Sequence, residues 1–255
     1  CIDLPSVRRL MAGIKDRRII TYGMVAAADV RAVNMRVDGA SMVFDAQLSD
    51  RAAGDATTIT DIRFPMLGDH NVQNCLAAIA VALEMNIEAD SIRDALADFG
   101  GVGRRFETKG VSHGVTIIDD YGHHPVEINA ALKAGRMMCG ENKLIAVVQP
   151  HRYSRLADLF VDFCGCFHDA DEVLVADVYA AGETPIDDIN RDSLVNGLRD
   201  HGHKAASALL HRDDLAAEIK ARTSAGDLVM CLGAGDITNW AATLPDELDK
   251  LGDAE

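Results

Sequence analysis

Four polar segments of the chain carry residue types that could bind an anion or transfer a proton. They occupy residues 119–125, 149–155, 177–183 and 233–236. His123 and His124 could donate to an anion or carry a proton near neutral pH. Arg152 and Arg155 lie three residues apart at the start of a predicted helix, so they can face the same way. Their planar guanidinium groups suit carboxylates and phosphates.

Two further features of these segments fit a nucleotide or another anion. The carboxylate of Asp120 could accept the hydroxyl groups of a ribose. Gly233-Ala234-Gly235 has little side-chain bulk, so backbone amides at a helix start could approach an anion. Each segment also has a purely structural explanation. Asp236 could cap a helix, and His124 could only shape the turn before Pro125. The two arginines could lie on a solvated helix face, and Gly-Ala-Gly fits many tight turns.

The strands and helices that must position these segments alternate regularly after residue 104. Apolar runs at residues 115–118, 144–148, 172–176 and 227–232 predict buried parallel strands. Helices are predicted at residues 126–138, 155–167, 191–201, 213–222 and 238–251. This alternation is typical of an open, doubly wound α/β domain, in which ligands bind beyond the carboxyl ends of the strands. Because each polar segment follows one of the four strands, the sequence predicts one site at that edge.

Residues 1–99 mix strands and helices in another pattern. Strands are predicted at residues 19–22, 30–37, 41–47 and 57–64, and helices at residues 71–84 and 91–99. Asp38-Gly39 predicts a tight hairpin turn. Gly100-Gly101-Val102-Gly103 is a flexible joint, and we place the domain boundary there. The side-chain amides of Asn71 and Asn74 match the edge of adenine, although Asn71 could instead be a helix N-cap.

The composition excludes several classes of partner. The chain is 48% hydrophobic and 25% charged, as ordinary globular proteins are. Its net charge of −15 disfavours binding to nucleic acid or to anionic lipid, and no apolar run of ~18 residues predicts a membrane span. None of the six cysteines forms a Cys-x-x-Cys pair, which favours a reducing, cytoplasmic compartment and argues against a zinc site. Cys164-Gly165-Cys166 is a weak hint of a redox or metal role.

Taken together, the motifs resemble those of the Mur ligase family, in the family's order and over nearly the whole chain. The resemblance rests on Asp-Tyr-Gly-His-His-Pro (residues 120–125), Gln-Pro-His-Arg-Tyr-Ser-Arg (149–155), Tyr-Ala-Ala-Gly-Glu (179–183), Gly-Ala-Gly-Asp (233–236), His-Asn-x-x-Asn (70–74) and Arg-Arg-Phe-Glu (104–107). It implies that residues 1–99 are the C-terminal part of a P-loop-type central ATP-binding domain. It also implies that residues 100–255 are a C-terminal, Rossmann-like α/β domain with a mostly parallel sheet.

The resemblance is strongest to the family member that joins L-alanine to UDP-N-acetylmuramate in peptidoglycan precursor synthesis. It implies that the muramate carboxylate takes the γ-phosphate of ATP in the presence of Mg²⁺. The amino group of L-alanine would then attack the acyl phosphate, and phosphate would leave. Clustered cations for the phosphoryl group and an orienting clamp for the amino acid are what such a reaction needs.

The resemblance also implies roles for individual residues. Asn71 and Asn74 would hold the adenine, Asp120 would bind the ATP ribose, and Arg105 would lie near the phosphates. The residues that would line the amino-acid and acyl-phosphate site are His123, His151, Arg152, Arg155, Gly233 and Gly235, with Tyr179 and Glu183 beside them. The main magnesium ligands would lie earlier in the central domain, so no metal ligand is predicted in this chain.

The sequence departs from the family at one point, because it contains no Gly-x-x-x-x-Gly-Lys-[Ser/Thr] phosphate loop. Position 1 is Cys and not an initiating Met, so we expect a piece of a longer protein that has no ligase activity alone. Two alternatives stay open. One is the related ligase that recycles murein tripeptide, which Tyr121 and the run at residues 151–155 disfavour. The other is a non-catalytic nucleotide-binding module, which the missing phosphate loop favours.

Overall fold

The computed structural model describes residues 1–252. The chain divides into two compact units, Cys1–Gly101 and a second unit that begins at Val102. The division falls within the glycine-rich joint, where Gly101 has a φ of 85°. That left-handed conformation is accessible to glycine without strain, whereas a residue with a Cβ rarely adopts it.

The first unit is built on a four-stranded sheet. Its elements are α1 (Pro5–Met11), β1 (Tyr22–Gly23), β2 (Val30–Asp38), β3 (Ser41–Leu48), α2 (Asp50–Ala53), β4 (Thr57–Phe64), α3 (Asp69–Glu84) and α4 (Ala89–Ala97). The strand order is β1-β2-β3-β4, with β1 parallel to β2 and the other neighbours antiparallel. The predicted hairpin is confirmed, and Gly39 supplies the positive φ of 62° in its turn.

Helix α3 packs on β1 and β2, and it buries Val72, Leu76 and Ile79, which are spaced as one face of a helix. The helix starts at Asp69, with Gly68 at the N-cap. Asn71 therefore lies in the first turn, and its interpretation as an N-cap is wrong. Pairing of β1 with β2 begins only at Tyr22, so the observed strand is shorter than the one predicted at residues 19–22 and begins later in the chain.

The second unit is an α/β domain around a six-stranded sheet. Its strands are β5 (Glu107–Ser112), β6 (Val115–Asp120), β7 (Leu144–Val148), β8 (Glu172–Val175), β9 (Ala206–Ala208) and β10 (Leu228–Leu232). The order is β5-β6-β10-β7-β8-β9, and every neighbouring pair is parallel except β5 with β6. The last strand among the described residues, β10, therefore lies between β6 and β7, in the middle of the sheet.

Helices cover both faces of this sheet. They are α5 (Pro125–Cys139), α6 (Tyr153–Asp158), α7 (Phe160–Cys164), α8 (Arg191–Asp200), α9 (Leu215–Arg222) and α10 (Ile237–Gly252), with a 3₁₀ turn at Arg212–Asp214. One buried cluster joins the sheet to α5, α6, α7 and α8, and a second cluster joins it to α9 and α10. The predicted doubly wound, mostly parallel domain is thus confirmed. Strands β7 and β10 are buried at every position, which explains their continuous apolar runs.

Three details differ from the prediction. Strand β5 was not predicted; it pairs through a two-residue turn in which His113 and Gly114 both have positive φ, of 49° and 81°. That is the geometry of a type I′ hairpin, but His-Gly is not its usual sequence. The helix predicted at residues 155–167 is two short helices, because Leu159, with a φ of −117°, interrupts it. Strand β9 has only three residues and no apolar run that would reveal it.

Five of the six cysteines are buried, and all six are free. Burial raises the pKa of the Cys75, Cys166 and Cys231 thiols to about 12, so these groups stay protonated and unreactive at neutral pH. The Cys166 thiol donates to the carbonyl oxygen of Phe163. These contacts are those of core residues and give no support to a redox role for Cys164 and Cys166.

We expect native protein to react with a thiol reagent at no more than the half-buried Cys1, and to react at all six positions after unfolding. The physical reason is that buried, protonated thiols are neither accessible nor nucleophilic. Absorbance after addition of an aromatic disulfide reagent measures the count. Fast reaction of three or more thiols in the folded protein would contradict the buried positions described above.

Candidate functional site

The four polar segments lie at one edge of the second unit's sheet. Strands β6, β10, β7 and β8 are neighbours and parallel, so their carboxyl ends point the same way. Asp120 is the last residue of β6, Gln149 follows β7, and Gly233 follows β10. The loop after β8 returns to β7 through a bridge between His151 and Tyr179. The four strand ends from which the site was predicted therefore lie along one continuous edge of the sheet.

Asp120 is buried, with 6% of its surface exposed, and its carboxylate organises two turns. Oδ1 accepts from the amide of Gly122 at 2.7 Å, and Oδ2 accepts from the amide of Phe106 at 2.8 Å. Burial raises the pKa of this carboxyl, and the two amide bonds oppose that rise. Each oxygen has a second lone pair, so the carboxylate can still accept a ribose hydroxyl.

We expect Asp120→Asn to lower the free energy of unfolding by about 1–3 kcal/mol, measured by urea denaturation. Asn has one acceptor oxygen and one NH₂ group, so one of the two backbone amides would face a donor. Asp246→Asn, on the exposed side of α10, is the matched control and should change stability little. Equal effects of the two substitutions would show that the carboxylate does not hold these turns.

Four aromatic rings form a row along the same edge. Tyr121 meets His123 edge to face at 5.1 Å between ring centroids, and His123 lies 5.9 Å from His151. The ring of His151 stacks on Tyr179 at 5.4 Å with an interplanar angle of 14°. The row connects the ends of β6, β7 and β8. It therefore places the two predicted histidines beside each other, although 28 residues separate them in the sequence.

The hydrogen bonds of the two histidines assign them different neutral tautomers. Nδ1 of His123 lies 3.0 Å from the carbonyl oxygen of Tyr121, which can only accept, so Nδ1 carries the proton and Nε2 has a free lone pair. Nδ1 of His151 lies 3.2 Å from a guanidinium nitrogen of Arg155, which can only donate. His151 therefore carries its proton on Nε2. Nε2 of His123 can therefore accept a proton, whereas Nε2–H of His151 can donate a hydrogen bond.

His151 is held in its neutral form. Desolvation is the first cause that lowers its pKa, followed by the charge of Arg155, the electrostatic interaction with His123 and the charge of Arg152, whereas Glu183 opposes them. Both the ring and the backbone carbonyl of His151 contact Arg155, whose Nη1 lies 3.0 Å from that carbonyl oxygen. At neutral pH the ring is thus a hydrogen-bond donor without a charge of its own.

Arg152 and Arg155 do not face the same partner, contrary to the prediction. Arg152 is the N-cap of α6 and has a φ of 74°, so it lies outside the helix and the helical spacing does not apply to it. Its guanidinium lies 3.8 Å from Oε1 of Glu183, whereas Arg155 turns back to His151. Glu183 also accepts from the hydroxyl and the amide of Ser154, at 2.6 and 3.0 Å. These bonds and Arg152 lower the pKa of Glu183.

The segment Gly233–Asp236, called the glycine loop below, joins β10 to α10 under tight steric limits. A Cβ on Gly233 would lie 2.7 Å from the carbonyl oxygen of Gln149. A Cβ on Gly235 would lie 2.7 Å from the ring of Tyr179 and still closer to Oε1 of Gln149. Both positions therefore require glycine. The amides of Ala234, Gly235 and Asp236 have no hydrogen-bond acceptor among residues 1–252.

The side chain of Gln149 supports the glycine loop from the β7 side. Its Nε2 donates to Oδ1 of Asp236 at 2.7 Å, and its Oε1 accepts from the amide of Ile237 at 3.2 Å. The carboxylate of Asp236 is thus held at the start of α10 by a buried amide group. Gln149 stood inside a predicted motif but had no predicted role, since only the folded chain brings it beside residues 236 and 237.

Arg104 and Asp119 are further residues at this edge to which no role was given. Arg104 donates to the carbonyl oxygens of Gly233 at 2.7 Å and Gly235 at 3.3 Å, and its guanidinium lies 4.7 Å from the ring centroid of Tyr121. Asp119 is completely buried and lies 3.8 Å from Nε of Arg104. The sequence offered a signal only for Asp119, which is an acidic residue within a predicted buried strand.

The other predicted site residues take these positions. Arg105 is exposed, 3.8 Å from Oε1 of Glu127 and 5.7 Å from the Tyr121 ring centroid. His124 is the N-cap of α5, and its Nδ1 accepts from the amide of Val126 at 3.3 Å. Its role is therefore structural, as the N-cap of α5, in addition to the turn before Pro125 that was considered for it. In the first unit, Asn71 is buried and donates to the carbonyl oxygen of Leu67 at 2.8 Å, while Asn74 is exposed.

Two observations concern metals and membranes. Within the described residues, no group of three or more His, Cys, Asp or Glu is arranged to hold a metal ion. Over the same range, no helix combines the length and the apolar character that a bilayer crossing requires.

Comparison with known proteins assigns the chain to a family. The profile described as "Mur ligase, glutamate ligase domain" matches residues 104–235. The UDP-N-acetylmuramate–L-alanine ligase of Rhodospirillum centenum is 55% identical over 251 residues, which are 98% of this chain and 52% of that protein. The chain thus spans about half the length of the curated relatives it matches.

Solved structures share the fold. The UDP-N-acetylmuramate–alanine ligase of Thermotoga maritima superposes with a TM-score of 0.73 at 24% identity, over 92% of this chain and 48% of that one. The MurF ligase of Thermotoga maritima, in complex with ADP, superposes with a TM-score of 0.69 at 16% identity, over 99% of this chain and 53% of that one. Because the family profile covers residues 104–235, the chain belongs to the Mur ligase family.

Proposed function

We propose that the complete protein joins L-alanine to UDP-N-acetylmuramate, with ATP converted to ADP and phosphate. The observation that carries this proposal is the 55% identity, over 98% of the chain, to a ligase of that name. The edge at the carboxyl ends of β6, β10, β7 and β8 supports it. His123, His151 and Arg155 meet there, Arg152 lies near Glu183, and the amides of Ala234, Gly235 and Asp236 have no acceptor among residues 1–252. The ADP in the MurF complex is in accord with a nucleotide substrate.

The proposed reaction has two steps, and negative charge develops on oxygen atoms in both. An oxygen of the muramate carboxylate attacks the γ-phosphorus of ATP, ADP leaves, and an acyl phosphate forms. The nitrogen of L-alanine then attacks the carbonyl carbon, and inorganic phosphate leaves as the amide bond forms. Both steps concentrate negative charge on oxygen, so fixed cations and N–H groups lower their barriers.

The residues of the second unit can be given roles in the second step. Nε2 of His123 has a free lone pair, so it can accept the proton that the alanine ammonium must lose. The charge formed on His123 would lie 3.6 Å from Glu127, measured from Nδ1 to Oε2. Nε2–H of His151 and the guanidinium groups of Arg152 and Arg155 can donate to the carboxylate of alanine or to the phosphate.

Four residues are proposed to bind the nucleotide. Asn71 and Asn74, one turn apart on α3, would bind the adenine. Asp120 would bind the ribose, and Arg105 would lie near the phosphates. Mg²⁺ neutralises the phosphates in reactions of this kind. We propose that the main ligands of Mg²⁺ lie in the part of the central domain that precedes residue 1.

The domain assignment is also part of the proposal. The first unit would be the C-terminal part of a central ATP-binding domain, and the second unit the C-terminal domain. The 255-residue chain has no phosphate-loop motif, so we expect it to release no phosphate by itself. Five buried free cysteines fit a reducing compartment, and we propose that the reaction takes place in the cytoplasm.

A phosphate-release assay on the complete enzyme tests the proposal. UDP-N-acetylmuramate, ATP and Mg²⁺ are held constant, and either L-alanine or the murein tripeptide is added. Release that depends on L-alanine is expected. Release that occurs with the tripeptide and not with L-alanine would assign the recycling ligase instead. Release with neither would favour the non-catalytic nucleotide-binding module, and a measured affinity for ATP would then define it.

A further inference from the structure

We propose that Arg104 is a positioning residue that sets which way the amides of the glycine loop point. This inference rests on the proposed function, since the loop is expected to line the amino-acid and acyl-phosphate site. Arg104 makes two hydrogen bonds across 129 and 131 residues of sequence, to the carbonyl oxygens of Gly233 and Gly235. It donates all of these bonds to backbone and so acts through the loop.

Because of the geometry of the peptide bond, these two contacts fix the direction of the amides that follow Gly233 and Gly235. In a trans peptide the C=O of one residue and the N–H of the next point in opposite directions, and the chain has no cis peptide among its described residues. Arg104 binds the carbonyls of Gly233 and Gly235, so the amides of Ala234 and Asp236 point away from it. Those amides are two of the three that have no acceptor within residues 1–252.

Arg104 is itself held firmly from three sides. Its own carbonyl oxygen accepts from the amide of Tyr121 at 2.7 Å, and its amide donates to Oε2 of Glu107 at 2.7 Å. The guanidinium lies over the Tyr121 ring at 4.7 Å. Its backbone has a φ of 60°, which a residue other than glycine keeps only when its surroundings enforce it.

A buried carboxylate completes this support. Asp119 is 0% exposed, and its Oδ2 accepts from the hydroxyl of Thr238 at 2.6 Å. The same oxygen lies 3.7 Å from Nζ of Lys109 and 3.8 Å from Nε of Arg104. Nε of Arg104 and Oδ1 of Asp119 are both buried without a hydrogen-bond partner among the described residues. Thr238 is the second residue of α10, so one carboxylate connects Arg104 to the helix that the loop begins.

Lysine cannot replace this arrangement. Nη2 of Arg104 bonds to both carbonyl oxygens, while Nε lies 3.8 Å from Oδ2 of Asp119 and the guanidinium lies over the Tyr121 ring. Lysine keeps the positive charge, but its one ammonium nitrogen cannot occupy the positions of Nη2 and Nε together, and it has no planar group to lie over the ring. Arg104→Lys therefore keeps the positive charge and removes the guanidinium geometry, so the two effects can be measured separately. A matched control exists at the opposite end of the sheet, where Arg136 donates to the carbonyl oxygens of Gly140, Asn142 and Asp169. The two side chains are exposed to similar extents, 26% and 30%.

The test compares the Arg104→Lys and Arg136→Lys variants of the complete enzyme. We expect Arg104→Lys to lower kcat/KM for L-alanine by at least about tenfold, as losing an oriented N–H donor does, with KM for ATP unchanged within about twofold. Arg136→Lys should leave kcat/KM unchanged, and it should lower the melting temperature at least as much as Arg104→Lys does. Added methylguanidinium should restore part of the activity of Arg104→Ala and none to any loss in Arg136→Ala.

Three results would overturn the inference. They are an Arg104→Lys enzyme within about twofold of wild type, a loss no larger than that of Arg136→Lys, or a KM for ATP that rises in proportion to the loss. The last result would place Arg104 on the nucleotide instead of behind the loop. Failure of the wild-type enzyme to use L-alanine would refute the proposed function, and these variants would then be compared with whichever substrate it does use.

Discussion

Gly235→Ala in the complete enzyme is expected to lower kcat/KM for L-alanine by about 100-fold, the loss typical when a reacting group moves by about 1 Å. The added Cβ would overlap Oε1 of Gln149 and come within 2.7 Å of the Tyr179 ring. Neither neighbour can move freely, because Gln149 is bonded to Asp236 and Ile237 and Tyr179 is stacked on His151. The glycine loop must therefore shift as a whole.

Steady-state kinetics with L-alanine varied at saturating ATP measure this loss. Gly165→Ala is the matched control, since a Cβ there would meet only ordinary contacts at 3.8 Å. It should keep wild-type kcat/KM, and both variants should keep a circular dichroism spectrum like that of wild type. If Gly235→Ala retains more than about a third of wild-type kcat/KM, the loop is not part of the reacting site.

Arg152→Ala is expected to raise KM for L-alanine about 30-fold and KM for ATP far less. A charge-assisted hydrogen bond lost without replacement costs about 2 kcal/mol, which corresponds to that factor. The guanidinium is half exposed and lies 3.8 Å from Glu183, so it is available to a carboxylate ligand. Removal should also bring the pKa of His151 closer to its ordinary value, because Arg152 is one of the charges that lower it.

The control for this substitution is Arg222→Ala, at the end of α9, where the guanidinium pairs with Glu172 and Glu218. It removes an arginine from the same domain without touching the strand-end edge. Initial rates over a range of each substrate give the two KM values. A proportional rise in both KM values for Arg152→Ala would remove the assignment of this residue to the amino acid, while leaving the proposed reaction intact.

The fold of the second unit could be predicted largely because its strands are buried on both faces. A strand such as β7 reads as an unbroken apolar run, and its predicted bounds are those observed. Strands at the sheet edges gave no such signal. β9 is three residues long, and β5 has no apolar run, since Ser112 is the one buried residue of its six. The break between α6 and α7 at Leu159 also carries no glycine or proline to reveal it.

The candidate site could be predicted only as far as its location and its ionisable groups. Polar residues after buried strands gave the edge, and His123, His151 and Arg155 are brought together there. The supports of the glycine loop could not be predicted, since Arg104 meets residues that lie 129 and 131 positions away. Arg152 shows a further limit, because helical spacing was assumed for a residue that precedes its helix.

The central position of β10 has a consequence for how the protein is made. Strands β6 and β7 pair with β10 and not with each other, so neither can complete its hydrogen bonds before residues 228–232 have been synthesised. Until then a nascent chain would carry two separate strand groups, β5-β6 and β7-β8-β9, each with an open apolar edge. Folding of this domain is therefore expected to stay incomplete until residues 228–232 have been synthesised, and chaperone binding or premature termination would act on that partly folded state.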